Sequence, residues 1–295
     1  MGVTVAIGTF DGVHLGHRAL IARARELAGG QGRVTVVTFD PHPAAVVAPE
    51  REPALLTTVA ERVELLQQAG VDEVLVVSFT ADVARRSPEQ FVDEFILPLN
   101  PDVVCVGRNF RFGAGAAGSS DTLHSLGGQR GFVTVAVDLA GDSDAAWSST
   151  RIRALIAQGD VAAAGRALGR DYQVCGVVVH GDARGRDLGF PTANLDVPAV
   201  KAVPADGVYA GWLDVAGSRF AAAVSIGTNP QFAGNSRRVE AHAIDAPAGF
   251  DVYGQTACVR FVHRLREQQV YPDLAALISA IGADVEQVRR LLSLH

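Results

Sequence analysis

Lysine is almost absent from this 295-residue chain, in which Lys201 is the only one. A site for phosphate groups would therefore take its positive charge from arginine, histidine, backbone N–H groups or a metal ion. The formal net charge is −6. Surfaces that bind duplex nucleic acid neutralise backbone phosphates with many basic side chains, so this charge balance argues against a nucleic-acid partner.

Long apolar runs and a basic N-terminal leader are also lacking. No stretch reaches the roughly 20 consecutive apolar residues that span a bilayer, and Met1–Ile7 carries no basic residue. Cys105, Cys175 and Cys258 are widely spaced in apolar, strand-like contexts, which fits neither a disulfide framework nor a metal-ligand cluster. We therefore expect a cytosolic protein without a membrane partner, whose three thiols are buried and reduced.

Two domains are expected from the length, since single domains commonly contain roughly 100 to 200 residues. In the first half, β-branched runs alternate with segments of helical apolar spacing, which predicts a doubly wound α/β domain with a parallel sheet. The predicted strands are Val3–Gly8, Arg33–Phe39, Glu73–Phe79, Asp102–Gly107 and Phe132–Asp138, and the predicted helices are Leu15–Ala28, Val59–Ala69, Pro88–Leu97 and Ser120–Gln129.

The periodicity changes after two further predicted helices, Ser149–Ala157 and Val161–Leu168. The runs that follow are separated by turns rich in Gly, Pro and Asn, which predicts antiparallel strands in a small β-barrel. A boundary at Gly169 gives domains 1–169 and 170–295, and a terminal amphipathic helix is predicted over Pro272–Leu292. The predicted strands of the second domain are Tyr172–His180, Gly207–Val215, Arg219–Ile226, Arg238–Asp245 and Thr256–Arg266.

A glycine-rich turn, Gly8–His17, joins the first predicted strand to the first helix. Its backbone N–H groups and the positive helix end converge where an anion would sit. His14 and His17 are three apart and can face the same phosphate, where imidazole groups would stabilise a pentavalent transition state. The alternative interpretation is a capped turn with two surface histidines.

Two further segments favour the phosphate interpretation. Thr38–Pro43 ends the second strand, and the carboxyl ends of parallel strands lie at one edge of a sheet. Ser148–Arg153 opens a helix with hydroxyl groups, free N–H groups and two arginines, which suits the β- and γ-phosphates of ATP. Its alternative interpretation is a simple helix N-cap, the more common role of Ser and Thr before a helix.

Together these segments resemble the HxGH nucleotidyltransferase superfamily, which has a Rossmann-like fold. Phe10–Gly12, Phe39–Pro43 and Val106–Gly113 narrow the resemblance to the FAD synthetase module of prokaryotic bifunctional riboflavin kinase/FAD synthetases. The resemblance implies that His14 and His17 are catalytic and that His42, Asn109 and Phe110 bind the flavin substrate. The implied contacts to ATP are Gly8, Phe10, Asp11, Gly12, His14, His17, Ser149, Thr150 and Arg153.

In the second half, the glycine-punctuated segment 181–194 ends in a polar pair, Thr192 and Asn194. Glycines let a backbone approach phosphates closely, and side chains two residues apart can point the same way as oxygen ligands for Mg²⁺. Glu240 alternates with apolar neighbours on a predicted strand, where a carboxylate could accept a proton from an attacking alcohol. The alternatives are an ordinary mobile turn and a solvent-facing strand glutamate.

Phe190–Asn194, Gly207–Tyr209, Gly227–Pro230 and Val239–His242 resemble the riboflavin kinase module of the same family. The resemblance implies a six-stranded antiparallel barrel with Glu240 as catalytic base. It also implies that Thr192 and Asn194 bind Mg²⁺, with Thr192 also on the ATP phosphate. The other implied ligands are Gly181, Gly185 and Gly189 for phosphate and Arg264 for flavin.

The resemblance covers nearly the whole chain and implies an enzyme that makes FMN from riboflavin and FAD from FMN, using ATP and Mg²⁺. Its expected partners are small molecules, and homo-oligomer formation stays open. Two alternatives remain. One is an enzyme with a single working module, because Asn109 and the uncharged loop Ala114–Gly118 lie in the adenylyltransferase half. The other is a noncatalytic flavin sensor, disfavoured because the proposed base, metal ligands and both histidines are present.

Overall fold

The computed structural model describes residues 2–138, 140–141, 145–180, 190–228, 237–247 and 250–293. The chain folds as two compact units, Met1–Ser149 and Thr150–His295. Within the described residues, no helix has the length and apolar character needed to cross a bilayer.

The first unit alternates strands and helices, as predicted. Three short 3₁₀ turns, Pro49–Arg51, Leu97–Leu99 and Ala114–Ala116, and a π-helical turn, Val92–Ile96, complete it. Its strands and α-helices are β1 (Val3–Ile7), α1 (Leu15–Ala28), β2 (Arg33–Asp40), α2 (Pro43–Val47), α3 (Val59–Gln68), β3 (Glu73–Ser78), α4 (Ala81–Ala84), α5 (Pro88–Phe91), β4 (Val103–Gly107), β5 (Arg111–Phe112), β6 (Gly118–Ser119), α6 (Ser120–Arg130) and β7 (Val133–Val137).

Five parallel strands form the central sheet in the order β3-β2-β1-β4-β7. One face packs against α1 and α3, where Ile21 and Leu66 are fully buried. The other face packs against α5 and α6, where Phe91 and Leu123 are buried. Apolar surface is therefore covered on both sides, and the predicted doubly wound α/β fold is confirmed.

The helix predicted over Pro88–Leu97 is interrupted. An α-helical turn, Pro88–Phe91, passes into the π-helical turn Val92–Ile96 and then a 3₁₀ turn. Pro98 offers no backbone N–H for a further α-helical hydrogen bond, and the chain leaves the helix there. The remaining predicted elements of this unit are present, and none of their ends differs by more than one residue.

Among the described residues, the second unit contains two short helices, a closed barrel of six antiparallel strands and a terminal helix. The barrel and the terminal helix are as predicted, whereas the sequence assigned the two short helices to the first domain. The barrel order is β10-β11-β12-β9-β8-β13. Five of these strands are predicted from the sequence, whereas the sixth, β9, falls in a segment predicted as a loop. The elements are α7 (Ser149–Gln158), α8 (Val161–Leu168), β8 (Tyr172–Val179), β9 (Thr192–Asp196), β10 (Gly207–Val215), β11 (Ser218–Thr228), β12 (Arg237–Ala243), β13 (Thr256–Arg266) and α9 (Leu274–Leu291).

Helix α9 packs on the outside of β10 and β11, where Val288 is buried against Ala210 and Ala221. A salt bridge joins this helix to β13: the Arg266 guanidinium contacts the Asp284 carboxylate at 2.6 Å, and the Asp284 side chain is 9% exposed. Apolar contacts and a partly buried ion pair therefore fix the helix on the barrel.

The expectation of three reduced thiols is wrong. Cys175 on β8 and Cys258 on β13 are directly opposite each other in the antiparallel ladder and form a disulfide. Their 83-residue separation gave no hint of the pairing, because strand register decides which residues meet. Only Cys105, buried on β4, is free, and burial raises the pKa of its thiol to about 11.

Candidate active sites

The glycine-rich turn lies where the strand order reverses. Strands β1, β2 and β3 succeed one another in one direction, and β4 returns to pair with the other side of β1. In open parallel sheets, ligands bind in the crevice at the carboxyl ends of the two strands that flank such a reversal. Gly8–His14 follows β1 and Arg108–Phe110 follows β4, so two of the predicted segments border this crevice.

The turn has an unusual backbone conformation and is hydrogen-bonded to the segment that precedes α3. Phe10 and Val13 have positive φ angles of 50° and 39°, and Gly12 has 84°. The buried Asp11 carboxylate accepts hydrogen bonds from the backbone N–H groups of Leu56 (3.0 Å) and Thr57 (2.9 Å). Strained, over-determined backbone is typical of functional turns. The Asp11 carboxylate therefore fixes the turn to the segment before α3, and its predicted contact with ATP stays a prediction.

His14 and His17 lie face to face at the start of α1. Their ring centroids are 3.6 Å apart, and the Phe10 ring packs 5.0 Å from the His17 ring. His14 is the N-cap residue, and its Nδ1 accepts a hydrogen bond from the backbone N–H of His17 (3.3 Å). The His17 Nδ1 atom is buried and has no hydrogen-bond partner among the described residues.

Burial, the neighbouring His14 and the charge of Arg62 lower the pKa of His17 well below its usual value of 6.5. The His17 imidazole is therefore neutral at pH 7 and carries one N–H donor. A phosphate oxygen beside the ring would accept a hydrogen bond from its N–H group. A polar atom of the buried ring would then gain a partner.

The other residues predicted for the first site lie in several places. Ser149 donates a hydrogen bond from Oγ to the Asp11 carbonyl (2.8 Å), which anchors it to the turn. His42 is the N-cap residue of α2, and its Nδ1 accepts from the Ala44 N–H (3.1 Å). Thr150 and Arg153 lie on α7 and belong to the second unit. In the segment after β4, Asn109 is exposed, and the ring of Phe110 stacks on Phe112.

Strand register assembles the second site. On β12 and β9, Glu240 pairs with Asn194 and His242 pairs with Thr192. Because these four positions alternate with the buried Val239, Ala241, Ala193 and Leu195, their side chains share one partly exposed face of the barrel. The predicted base and the two predicted metal ligands are therefore neighbours.

The side-chain oxygens of Asn194 and Thr192 suit a hard cation. Asn194 Oδ1 is buried and accepts no hydrogen bond from the described residues, which leaves an amide oxygen for a ligand. Thr192 lies two residues away on the same face. Mg²⁺ bound beside ATP commonly takes only one or two protein oxygens, the rest being phosphates and water.

His242 contacts the two residues that precede β9 at this face. Its Nδ1 lies 2.9 Å from the Pro191 carbonyl oxygen, and its ring meets Phe190 edge to face at 5.4 Å. The predicted phosphate-binding glycines Gly181, Gly185 and Gly189 lie outside the described residues.

Arg264, which was predicted to bind flavin, contacts neighbouring backbone within the second unit. Its Nη2 donates to the Asp206 carbonyl (2.8 Å), and its side chain packs beside Gly159 and Gly207. None of its described contacts joins it to Glu240. Its Nε is buried without a hydrogen-bond partner among the described residues.

Sequence reasoning missed two residues next to these sites. Arg62, in α3, is 1% exposed and contacts the end of β2. His242 was quoted only as part of a motif. Because His242 is two residues from Glu240 on one strand, the sequence could have indicated that both side chains lie on the same face. Arg62 gave no such signal, since it resembled an ordinary charged helix residue.

Comparisons with known proteins agree with both halves. A FAD synthetase family model matches residues 1–151, and a riboflavin kinase family model matches residues 168–292. The chain is 37% identical over 293 residues to a bifunctional riboflavin kinase/FMN adenylyltransferase of Pseudomonas fluorescens, covering 98% of this chain and 93% of that protein. It is 34% identical over 296 residues to the protein of the same description from Bacillus subtilis, covering 98% and 92%.

A solved structure from Streptococcus pneumoniae, described as a macrolide-efflux protein, superposes with a TM-score of 0.90 at 30% identity and covers 98% of this chain and 94% of that one. The two family models occur in the order of the two units, and the relatives match over nearly their whole length. The chain therefore belongs to the family of bifunctional riboflavin kinase/FMN adenylyltransferases.

Proposed function

We propose that this chain makes FMN and FAD in two ATP-dependent steps. Residues 170–295 transfer the γ-phosphate of ATP to riboflavin, giving FMN and ADP. Residues 1–169 transfer the AMP group of a second ATP to FMN, giving FAD and pyrophosphate. Family membership over the full length and the presence of both candidate sites support this assignment.

The observation that carries the kinase step is the register that sets Glu240 beside Asn194. Glu240 accepts the proton of the ribityl 5′-hydroxyl as its oxygen attacks the γ-phosphorus, and the bond to the β-phosphate oxygen breaks. Thr192 and Asn194 hold Mg²⁺, which when bound neutralises charge on the phosphate oxygens.

The observation that carries the adenylyl step is the stacked His14 and His17 pair at the strand-order reversal. An FMN phosphate oxygen attacks the α-phosphorus of ATP, and pyrophosphate leaves without a covalent protein intermediate. The attacking group is already anionic, so the two imidazoles act by orienting the triphosphate and stabilising charge in the transition state. Ser149, which is bonded to the turn, holds the β- and γ-phosphates, and the same role for Thr150 and Arg153 stays a prediction.

The acceptor side of this site is formed by the segments after β2 and β4. His42, Asn109 and Phe110 contact FMN, with the two polar side chains on its phosphate. Phe10, Gly8 and Gly12 shape the turn that receives ATP. Phe10 and Gly12 do so through the positive φ angles described above.

A product time course tests both steps. Purified protein is incubated with riboflavin and Mg-ATP, or with FMN and Mg-ATP, and the flavins are separated by chromatography. Glu240→Gln is expected to lower FMN formation by about 10² to 10⁴ while sparing FAD formation from supplied FMN. His17→Ala is expected to lower FAD formation by about 10² to 10³ while sparing FMN formation.

Two exposed residues give matched controls, Glu52→Gln and His124→Ala, which should leave both rates unchanged. FMN that never proceeds to FAD would identify an enzyme with one working module. Flavin binding without either product would identify a sensor. The cytosolic location expected from the sequence stays a prediction, and homo-oligomer formation stays open.

A further inference from the structure

Arg62 is a buried arginine outside every motif discussed above. It lies in the first turns of α3 and is 1% exposed. Its Nη1 donates hydrogen bonds to Thr38 Oγ1 (3.0 Å) and to the Phe39 carbonyl (2.9 Å). Thr38 Oγ1 in turn donates to the Thr9 carbonyl (2.9 Å). One guanidinium thus connects α3 to the carboxyl end of β2 and, through Thr38, to the turn that carries His14.

The same helix holds the turn at a second place. The segment just before α3 binds the Asp11 carboxylate through the backbone of Leu56 and Thr57, and Thr57 Oγ1 accepts the Gly12 N–H (3.0 Å). The turn after β1 and the end of β2 are therefore both fixed to one element. These are two of the segments that the proposed adenylyl step uses, the turn for ATP and the end of β2 for FMN.

The charge of Arg62 is incompletely compensated. Among the residues that the structure describes, no carboxylate forms a salt bridge with it, and its Nε is buried without a hydrogen-bond partner. Asp11 and Asp40 act on it from the turn and from the end of β2, but burial outweighs them and lowers the pKa of Arg62. Guanidinium groups stay protonated in proteins, so a positive charge persists beneath the turn.

A buried cation without an ion-pair partner is unfavourable for folding, and an apolar side chain of similar size would avoid that penalty. An anion bound at the turn would offset this unfavourable free energy. The pKa of His17 responds to this field: burial lowers it most, and the charges of His14 and Arg62 lower it further.

We propose that Arg62 is a positioning residue for the adenylyl step: its buried guanidinium holds the β1 turn and the β2 end in place and supplies positive potential beneath the phosphate site. This inference rests on the proposed FMN adenylyltransferase activity. Arg62 does not touch the reacting atoms and acts through Thr38, Phe39 and the field at His17.

The test compares variants that separate charge from packing. Arg62→Met removes the charge and keeps side-chain length, Arg62→Lys keeps the charge, and Thr38→Val breaks the hydrogen-bond chain. Arg62→Gln is the second uncharged variant, which keeps an amide donor if the methionine variant does not fold. Each full-length protein is assayed for FMN adenylylation and, as an internal control, for riboflavin phosphorylation.

The uncharged variants are expected to lower kcat/KM of FMN adenylylation for Mg-ATP by about tenfold or more, whereas Arg62→Lys loses less. Riboflavin phosphorylation should stay within about twofold in all of them. NMR titration of the His17 ring separates the charge of Arg62 from its packing, because Thr38→Val disturbs the hydrogen bonds and keeps the charge. The pKa of His17 should rise in the uncharged variants and stay unchanged in Arg62→Lys and Thr38→Val.

Folded uncharged variants that keep adenylylation within twofold of wild type, or that leave the His17 titration unmoved, would overturn the inference. If instead the wild-type protein forms no FAD from FMN, the proposed function fails, and the His17 titration still decides whether Arg62 acts on the turn.

Discussion

Loss of the Cys175–Cys258 disulfide should destabilise the barrel. It closes a loop between residues 83 apart, for which the chain-entropy relation gives about 4.5 kcal/mol, with roughly 2 to 4 kcal/mol typical of measured cases. For a unit of this size, a loss of 2 to 4.5 kcal/mol corresponds to a melting temperature lower by about 7 to 15 °C.

The consequence for activity follows from the barrel order. The disulfide joins β8 to β13, and β9 is attached to β8 through only three residue pairs, one of which is Val179 with Asn194. Loosening β8 should therefore disturb the pairing that sets Asn194 beside Glu240. Riboflavin phosphorylation should lose heat resistance on reduction, whereas FMN adenylylation should not.

The assay begins with thiol counting in denaturant. Without reductant one thiol should titrate, and after reduction all three. Thermal unfolding and both activities are then followed with and without a phosphine reductant, using the Cys175→Ser/Cys258→Ser variant as the control that reductant should not change. Three thiols before reduction, or a melting curve that reductant leaves unmoved, would refute the reasoning.

Three further predictions concern the first unit and the metal site. The folded-state pKa of His17 lies below its unfolded value of 6.5, so stability should fall as pH decreases below about 6.5, by at most about 1.4 kcal/mol per pH unit, and His17→Gln should flatten this dependence in thermal melts. Cys105, with its raised pKa and full burial, should react with iodoacetamide at pH 8 about 100-fold more slowly in folded than in unfolded protein, as mass spectrometry can follow. Asn194→Ala should raise the Mg²⁺ concentration needed for half-maximal riboflavin phosphorylation by about tenfold or more, with FMN adenylylation as the unchanged reference.

Local sequence signals predicted elements whose ends depend on neighbouring residues. Helices α1 and α8 have the predicted bounds because a capping residue precedes each apolar pattern and a glycine with positive φ follows it. Strands β10 and β13 were predicted equally well from alternation and turns. The interruption at Val92–Ile96 was not readable, because an α-helix and a π-helical turn present similar apolar spacing over one turn.

Contacts between distant segments were not readable from the chain. The pairing of Cys175 with Cys258 depends on the register of β8 against β13, which no local pattern encodes. Arg62 follows Glu61 at the start of a helix, a pattern typical of an exposed charged face. The Thr58–Glu61 capping box fixes where α3 begins, and tertiary packing then turns Arg62 inward.

Glu240 shows how the two kinds of information combine. Alternation on its own allowed two interpretations, a catalytic carboxylate or a solvent-facing strand residue. The structure puts Glu240 on the face opposite the buried Val239 and Ala241, so it does not point into the apolar side of the barrel. What distinguishes it from a surface glutamate is its partner strand, because β9 brings Asn194 and Thr192 to the same face.

That distinction depends on the register of β9 against β12, to within a single residue. A shift of β9 by one position would set Ala193 beside Glu240 and turn the unpartnered Asn194 oxygen to the opposite face. Strand β9 was missed because its polar pair and the glycines before it resemble a loop, yet these polar residues are the ones the site needs. The strand least predictable from propensity is therefore the one that the proposed phosphoryl transfer depends on most.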